Sequence, residues 1–516
     1  MAWGEIARRA VPGGGRIGEA PASDEREVTP VSSFPETPRV RDHTGGWRPV
    51  RDLDPESAHC RRQVPLAPTR YVADRLILRT TPGDDPDPLL DLLRERAAER
   101  SLELAEERLE RAGSRGGAPQ PGLAVHLAGD DGDVWDLLDD IASAVDPDER
   151  KRIGLDHVLV GHRNGGGLPV PGDREPAHRI GPAPRRLFGD GPVPWRTEHG
   201  MHRPVVAVVD TGIGEHPWLD GDRLVIRDAE VDGRPLGTYT EDEPDTTPDG
   251  LTPFAGHGTF IAGVVHQTCP DAAILPVRAM STDGLVREWD LIRTMERLLE
   301  YHLRGLAGDP RCAPVDVLVL AMGFRPEIVE DDDYEGVLRG ALRDLRRAGV
   351  LVVVSAGNDG DDREIFPAAW APHVRRLDDR AEPLDVRDLH PDYPPILSVA
   401  ASNPNGTLAD FSNDGPWVTC VRHGREVVST MPVTADGPLQ PQFLGGDPVR
   451  ESTDPDDYTG GFAQWSGTSF AAPVLAGELA QQLLDQRYGG EEGHRVRMAW
   501  RAVEAVTGMP EPVAAR

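Results

Sequence analysis

Three residues of this chain have the types needed to turn a hydroxyl into a nucleophile. They are Asp210 in VAVVDTGIG, His257 in GHGTFIAG and Ser469 in GTSFAAPVLAG. Together they supply an anion, a proton carrier and a hydroxyl, the parts with which a serine attacks a carbonyl carbon. Each has an ordinary explanation when taken alone. An Asp after an apolar strand is commonly a turn or cap residue. A His between glycines is commonly a loop histidine, and Gly-Thr-Ser commonly just starts a helix. Their joint occurrence, in this order and with these flanks, points to chemistry.

The elements around them predict how they are aimed. Val205–Val209 is a continuous apolar run, a strand buried on both faces as in a parallel sheet, with Asp210 at its carboxyl end. Gly256 and Gly258 flank His257 and let the backbone pass close to its neighbours. Thr259–Val265 is apolar enough for a buried helix. Ser469 precedes a predicted helix over 470–484, so its hydroxyl lies near a positive dipole end and unpaired amides. Val350–Ser355 forms another apolar strand running into Asn358-Asp359-Gly360, which by itself reads as a turn. Val315–Leu320 and Ile396–Ala400 are further buried-strand candidates. The expected architecture for 201–508 is therefore α/β, a three-layer sandwich around a mainly parallel sheet.

With their flanks, the three strings closely resemble the subtilase family of serine peptidases, whose triad follows the order Asp, His, Ser. The resemblance spans roughly residues 200–508. It includes DTGIGEHPWLDG, AAILPVRAMSTDGLVREWDLIRTMERLL and LADFSNDGP. It implies a subtilisin-like fold and a serine endopeptidase with Asp210, His257 and Ser469 as triad and Asn358 as oxyanion-hole donor. The substrate would be a peptide or protein bound as an added strand against edges before Asn358 and near 321–323. The sequence departs from the family at Phe260, at Ala321-Met322-Gly323, at Arg422-His423 and at Phe470; none of these removes a catalytic group. The narrower expectation is a maturation protease for one precursor. The alternative is a non-catalytic peptide-binding protein on the same scaffold.

Upstream, residues 68–161 show the order β-α-β-β-α-β, which predicts a small α+β ferredoxin-like domain. Its place before the catalytic part resembles the family's propeptide; an accessory domain that stays attached is the other reading. Residues 1–66 are rich in Arg, Pro, Gly and acidic residues and read as disordered. Residues 162–200 read as a Gly/Pro/Arg-rich linker.

The 516 residues carry a formal charge of −31, which argues against nucleic acid or an anionic membrane as partner. The four cysteines lack CxxC spacing, and buried thiols are expected at 269, 312 and 420. No zinc-type spacing occurs and no cofactor is expected. Calcium at Glu330-Asp331-Asp332-Asp333 is weighed below solvated charge. Neither an apolar signal segment nor an 18-residue apolar run is present, and Arg8-Arg9 lacks a following hydrophobic run. These features read as cytoplasmic, with secretion if the true start lies elsewhere.

Overall fold

The computed structural model describes residues 39–512, except 81–86, 110–121, 129–132, 162–173, 220–223, 240–245, 248–249, 329–335, 378–379, 386–388 and 490–493. The acidic run 330–333 and Arg8-Arg9 lie outside the described residues.

The apolar runs become a six-stranded parallel sheet. Its strands are β8 (Val205–Asp210), β9 (Ala273–Arg278), β11 (Val317–Leu320), β13 (Leu351–Ser355), β14 (Ile396–Ser402) and β15 (Cys420–His423), in the order β9-β8-β11-β13-β14-β15. Alternation along β8 separates two cores. Val205, Ala207 and Val209 face one side, where Trp289, Leu291 and Leu298 of α4 (Glu288–Leu306) and Leu338, Leu342 and Leu345 of α5 (Val337–Arg347) pack. Val206 and Val208 face the other, against α3 (His257–Thr268), α6 (Thr468–Tyr488) and α7 (Arg495–Thr507). Both faces of the sheet are covered, so its strands read as continuous apolar runs rather than alternating ones.

The N-terminal part contains β3 (Thr69–Arg79), α1 (Pro88–Glu99), β4 (Glu103–Arg108), β5 (Gly122–Ala128), α2 (Val134–Ala144) and β6 (Ile153–Gly161). The strands pair antiparallel as β6-β3-β5-β4, and both helices lay leucines on one face of the sheet. Asp87 and Asp133 cap the helices by accepting from the amides of Leu89 and Trp135.

The expected disorder across 1–66 does not hold for 39–53. There β1 (Arg39–Arg41) and β2 (Trp47–Leu53) extend the same sheet through β3, with Val40 and Val50 packed against Val72 and Val158. A cluster of four valines, with Val50 opposite Val72 across the pair of strands, holds this segment despite its polar composition. Of the cysteines, Cys269 and Cys312 are buried, Cys60 and Cys420 are partly exposed, and all four are free thiols. No helix among the described residues is long and apolar enough to cross a membrane.

Candidate active site

β8 delivers Asp210 at its carboxyl end and α3 opens on His257. Two glycines press these ends together. Gly256 takes a left-handed φ of 73°, and a Cβ there would lie 2.5 Å from Met431 Sδ. A Cβ on Gly258 would lie 2.3 Å from the Gly212 carbonyl oxygen. The resulting distance from His257 Nδ1 to Asp210 Oδ1 is 2.8 Å. The same oxygen accepts from the Thr211 amide at 2.8 Å, and Thr211 Oγ1 accepts from the Gly258 amide at 3.0 Å. A carboxylate only accepts, so Nδ1 holds the proton and Nε2 is left as the basic nitrogen.

The imidazole sits in an aromatic box. Phe254, Trp465 and Phe470 place their ring centroids 5.2, 5.4 and 5.4 Å from it. Phe260 packs on Phe470 at 4.4 Å. Two positions that depart from the family pattern therefore answer each other behind the histidine.

Ser469 is the second residue of α6 and only 1% exposed. Its Oγ makes no hydrogen bond, so the serine-to-histidine link is not closed in this structure. The neighbouring Phe470 does touch the His257 ring. Asn358 follows β13, and its Oδ1 accepts from the Thr468 amide and hydroxyl at 2.9 and 2.8 Å. That pair commits the amide oxygen to Thr468 and leaves Nδ2 as the donor. All four expected residues thus gather at one edge of the sheet. Sequence reasoning missed Thr211 and Thr468, which orient the aspartate and the asparagine. Both lie inside the DTG and GTS strings and could have been found there.

The cleft beside them holds a strand. β6 pairs antiparallel with β10 (Leu285–Arg287) and with β12 (Met322–Gly323), so Val158–Gly161 lies between two edges of the α/β part. The Gly161 amide donates to the Gly284 carbonyl at 2.7 Å. A Cβ on Gly161 would come 2.5 Å from Phe254 Cε1, on the ring that touches His257. A cavity of about 200 Å³ lies alongside, between Val160, Gly161, Phe324, Ile365 and Asn358. The chain is next described at Arg174, whose guanidinium lies 5.3 Å over the Trp465 ring. Arg174 also donates to the carbonyls of Thr252 and Pro253 at 2.9 and 3.0 Å. β7 (Glu175–Pro176) then pairs with β17 (Phe462–Trp465), whose other neighbour is β16 (Val427–Thr430) and which leads into Ser469.

A buried polar network ties this strand to α4. His157 reaches Glu288 at 2.7 Å through Nδ1 and Glu327 at 2.9 Å through Nε2. Burial alone would lower its pKa, but the two carboxylates raise it to about 10. Next to it, Asp156 accepts from the Trp289 amide at 3.0 Å and faces Arg287 and Arg75. Burial wins there and pushes its carboxyl up to about 6 against the pull of the arginines.

Residues 202–507 match the family model of the subtilase family, and the chain belongs to that family. Serine protease AprX of Bacillus subtilis (strain 168) is 26% identical over 286 residues, 54% of this chain and 57% of AprX. An intracellular serine protease of Paenibacillus polymyxa is 25% identical over 298 residues, 56% of this chain and 69% of that protein. The chain thus spans little more than half the length of AprX. Among solved structures, the patellamide maturation protease PatA aligns with 22% identity and a TM-score of 0.35. That alignment covers 58% of this chain and 85% of that one.

Proposed function

We propose that this chain is a serine endopeptidase in which Ser469 attacks the peptide carbonyl and His257 Nε2 takes its proton. Asp210 holds the imidazole and stabilises its charged form, and Asn358 Nδ2 donates to the oxyanion beside the Ser469 amide. His257 then returns the proton to the leaving amine, and water opens the acyl-enzyme with the same base. The observation that carries this reading is the 2.8 Å bond from Asp210 to a histidine enclosed beside Ser469 and the Thr468-anchored Asn358.

Residues 68–161 are read as a ferredoxin-like propeptide domain whose last strand occupies the substrate cleft. Two features support this: the pairing of Val158–Gly161 between β10 and β12, and the 1% exposure of both His257 and Ser469. An intact chain would then be held inactive, and a cut within 162–173 would free the cleft. A cleft walled on both edges admits an extended segment and excludes a folded one. That favours an unfolded stretch of a precursor, and hence maturation by limited cleavage, over digestion of native proteins.

Mass spectrometry of the purified wild-type chain and of Ser469→Ala tests the reading. Cleavage between 161 and 174 in the wild type alone supports it. Equal cleavage in both, or a wild-type chain that hydrolyses no unfolded protein even after an added protease has cut it within 162–173, contradicts it and favours a non-catalytic peptide-binding protein.

A further inference from the structure

Side chains alternate along a strand, so residues 157, 159 and 161 of β6 point to one side and 158 and 160 to the other. Val158 packs with Val40, Val50 and Val72 of the N-terminal sheet. His157, Leu159 and Gly161 instead meet the α/β part, and each meets it differently. His157 lies between Glu288 and Glu327, and its ring stacks on Phe324 with centroids 4.4 Å apart. Carboxylates only accept, so both ring nitrogens donate and the imidazole is a cation. Leu159 is fully buried in the cluster that includes Val286, Met322 and Phe324. At Gly161 there is no room for a side chain. A Cβ there would come 2.5 and 2.8 Å from Cε1 and Cζ of Phe254 and 3.1 Å from Met280 Sδ. The Phe254 ring is held from behind. Gly284 lies so close that a Cβ there would stand 2.2 Å from Phe254 Cδ2, and the His257 ring packs 5.2 Å away. Gly161 takes no left-handed φ, so space and not backbone conformation demands the glycine.

We propose that this cleft selects extended segments bearing glycine where Gly161 lies and a basic side chain where His157 lies, four residues earlier. This selection rests on the reading of β6 as the occupant of the substrate cleft. Phe254, Glu288 and Glu327 are then the residues that set specificity, and all three stay with the α/β part when β6 leaves. A guest with a neutral side chain at the first place leaves two buried carboxylates with no cation between them, which is costly. Any side chain at the glycine place meets a ring that is already walled in. That rejection is built from a clash rather than from a lost contact. An apolar residue midway fits the seat of Leu159. The resulting pattern of basic, any, apolar, any, glycine is rare in an arbitrary unfolded chain, which suits limited cleavage and not general digestion.

The test has two arms. In the first, the wild-type chain is cut within 162–173 by an added protease, which is then removed. The cut chain digests a denatured protein mixture, and mass spectrometry maps every cleavage. Glycine should be enriched about tenfold or more at one fixed place relative to the cut, with Arg, Lys or His enriched likewise four residues before it. Glu327→Gln should weaken the basic preference and spare that for glycine, whereas a merely structural role would move both or neither. Cleavage without these preferences, or a basic preference unchanged by Glu327→Gln, overturns the proposal and leaves the peptidase reading standing. If nothing is cleaved, the peptidase reading fails and the second arm decides. There, hydrogen exchange of the β6 amides is followed in the full chain carrying Ser469→Ala, which needs no catalysis. Gly161→Ala and His157→Gln should each speed that exchange about tenfold or more. Exchange unchanged in either variant overturns the proposal.

Discussion

Asp210 Oδ1 receives two donors at once, from His257 and from the Thr211 amide, and Thr211 in turn receives the Gly258 amide. The imidazole is therefore oriented by a closed set of bonds whose slack is removed by glycine. Gly258→Ala drives a Cβ into the Gly212 carbonyl, and the helix start must back away. We expect a stability loss of about 1–3 kcal/mol and a fall in kcat with little change in KM, read by thermal melting and peptide kinetics. Asn358 makes a sharper test. Asn358→Asp keeps an acceptor for Thr468 but replaces the Nδ2 donor with a negative oxygen. The fold should hold while kcat drops by at least about 10²–10³, the loss typical of one oxyanion donor in enzymes of this family. Unchanged kcat would remove Asn358 from the mechanism.

At the scale of elements, the aromatic box shows why a departure from a family pattern need not be damage. Phe260 and Phe470 sit on different helices, α3 and α6, and fill one space behind His257. Phe470→Ala should cost about 3–5 kcal/mol through the cavity it leaves, and Phe260→Ala combined with it should cost less than the sum. Thermal or denaturant unfolding of the three variants measures this. The docking of β6 makes a prediction in pH. The folded pKa of His157 is raised to about 10, above the ordinary value of about 6.5. Its contribution is complete below that ordinary value and is lost as pH climbs through 10. Glu327, buried but hydrogen-bonded to His157, is lowered, so its contribution is lost as pH falls. Asp156, raised to about 6, works against docking above that pH. Hydrogen exchange of the β6 amides should accelerate beyond pH 10. His157→Gln strands two buried carboxylates and should weaken docking by about 3–5 kcal/mol at neutral pH. Exchange unaffected by His157→Gln would show that strand pairing alone holds the cleft closed.

For the molecule as a whole, the parallel strands and the helices bearing His257 and Ser469 were legible because burial on both sheet faces writes itself as unbroken valine and alanine runs. The four residues of the candidate site could be picked out because each adjoins such a run and is flanked by small residues. Three things were hidden. Residues 39–53 read as disordered because a strand held by two valines and a neighbour's edge carries no periodic signal of its own. The contact of β6 with Leu285–Arg287 was hidden because pairing between segments more than 120 residues apart leaves no local trace. The acidic seat of His157 depends on Glu288 and Glu327, which no spacing in the sequence brings together. On the proposed reading, the candidate triad is covered by the chain's own strand β6. A cut within 162–173 by an added protease should raise hydrolysis of an unfolded protein substrate, and Ser469→Ala treated identically should stay inert. The most direct measurement is peptide mapping of the cut chain after reaction with a fluorophosphonate probe. One adduct is expected, on Ser469, abolished by His257→Ala. An adduct on another serine, or none at all once the strand has been released, would contradict it.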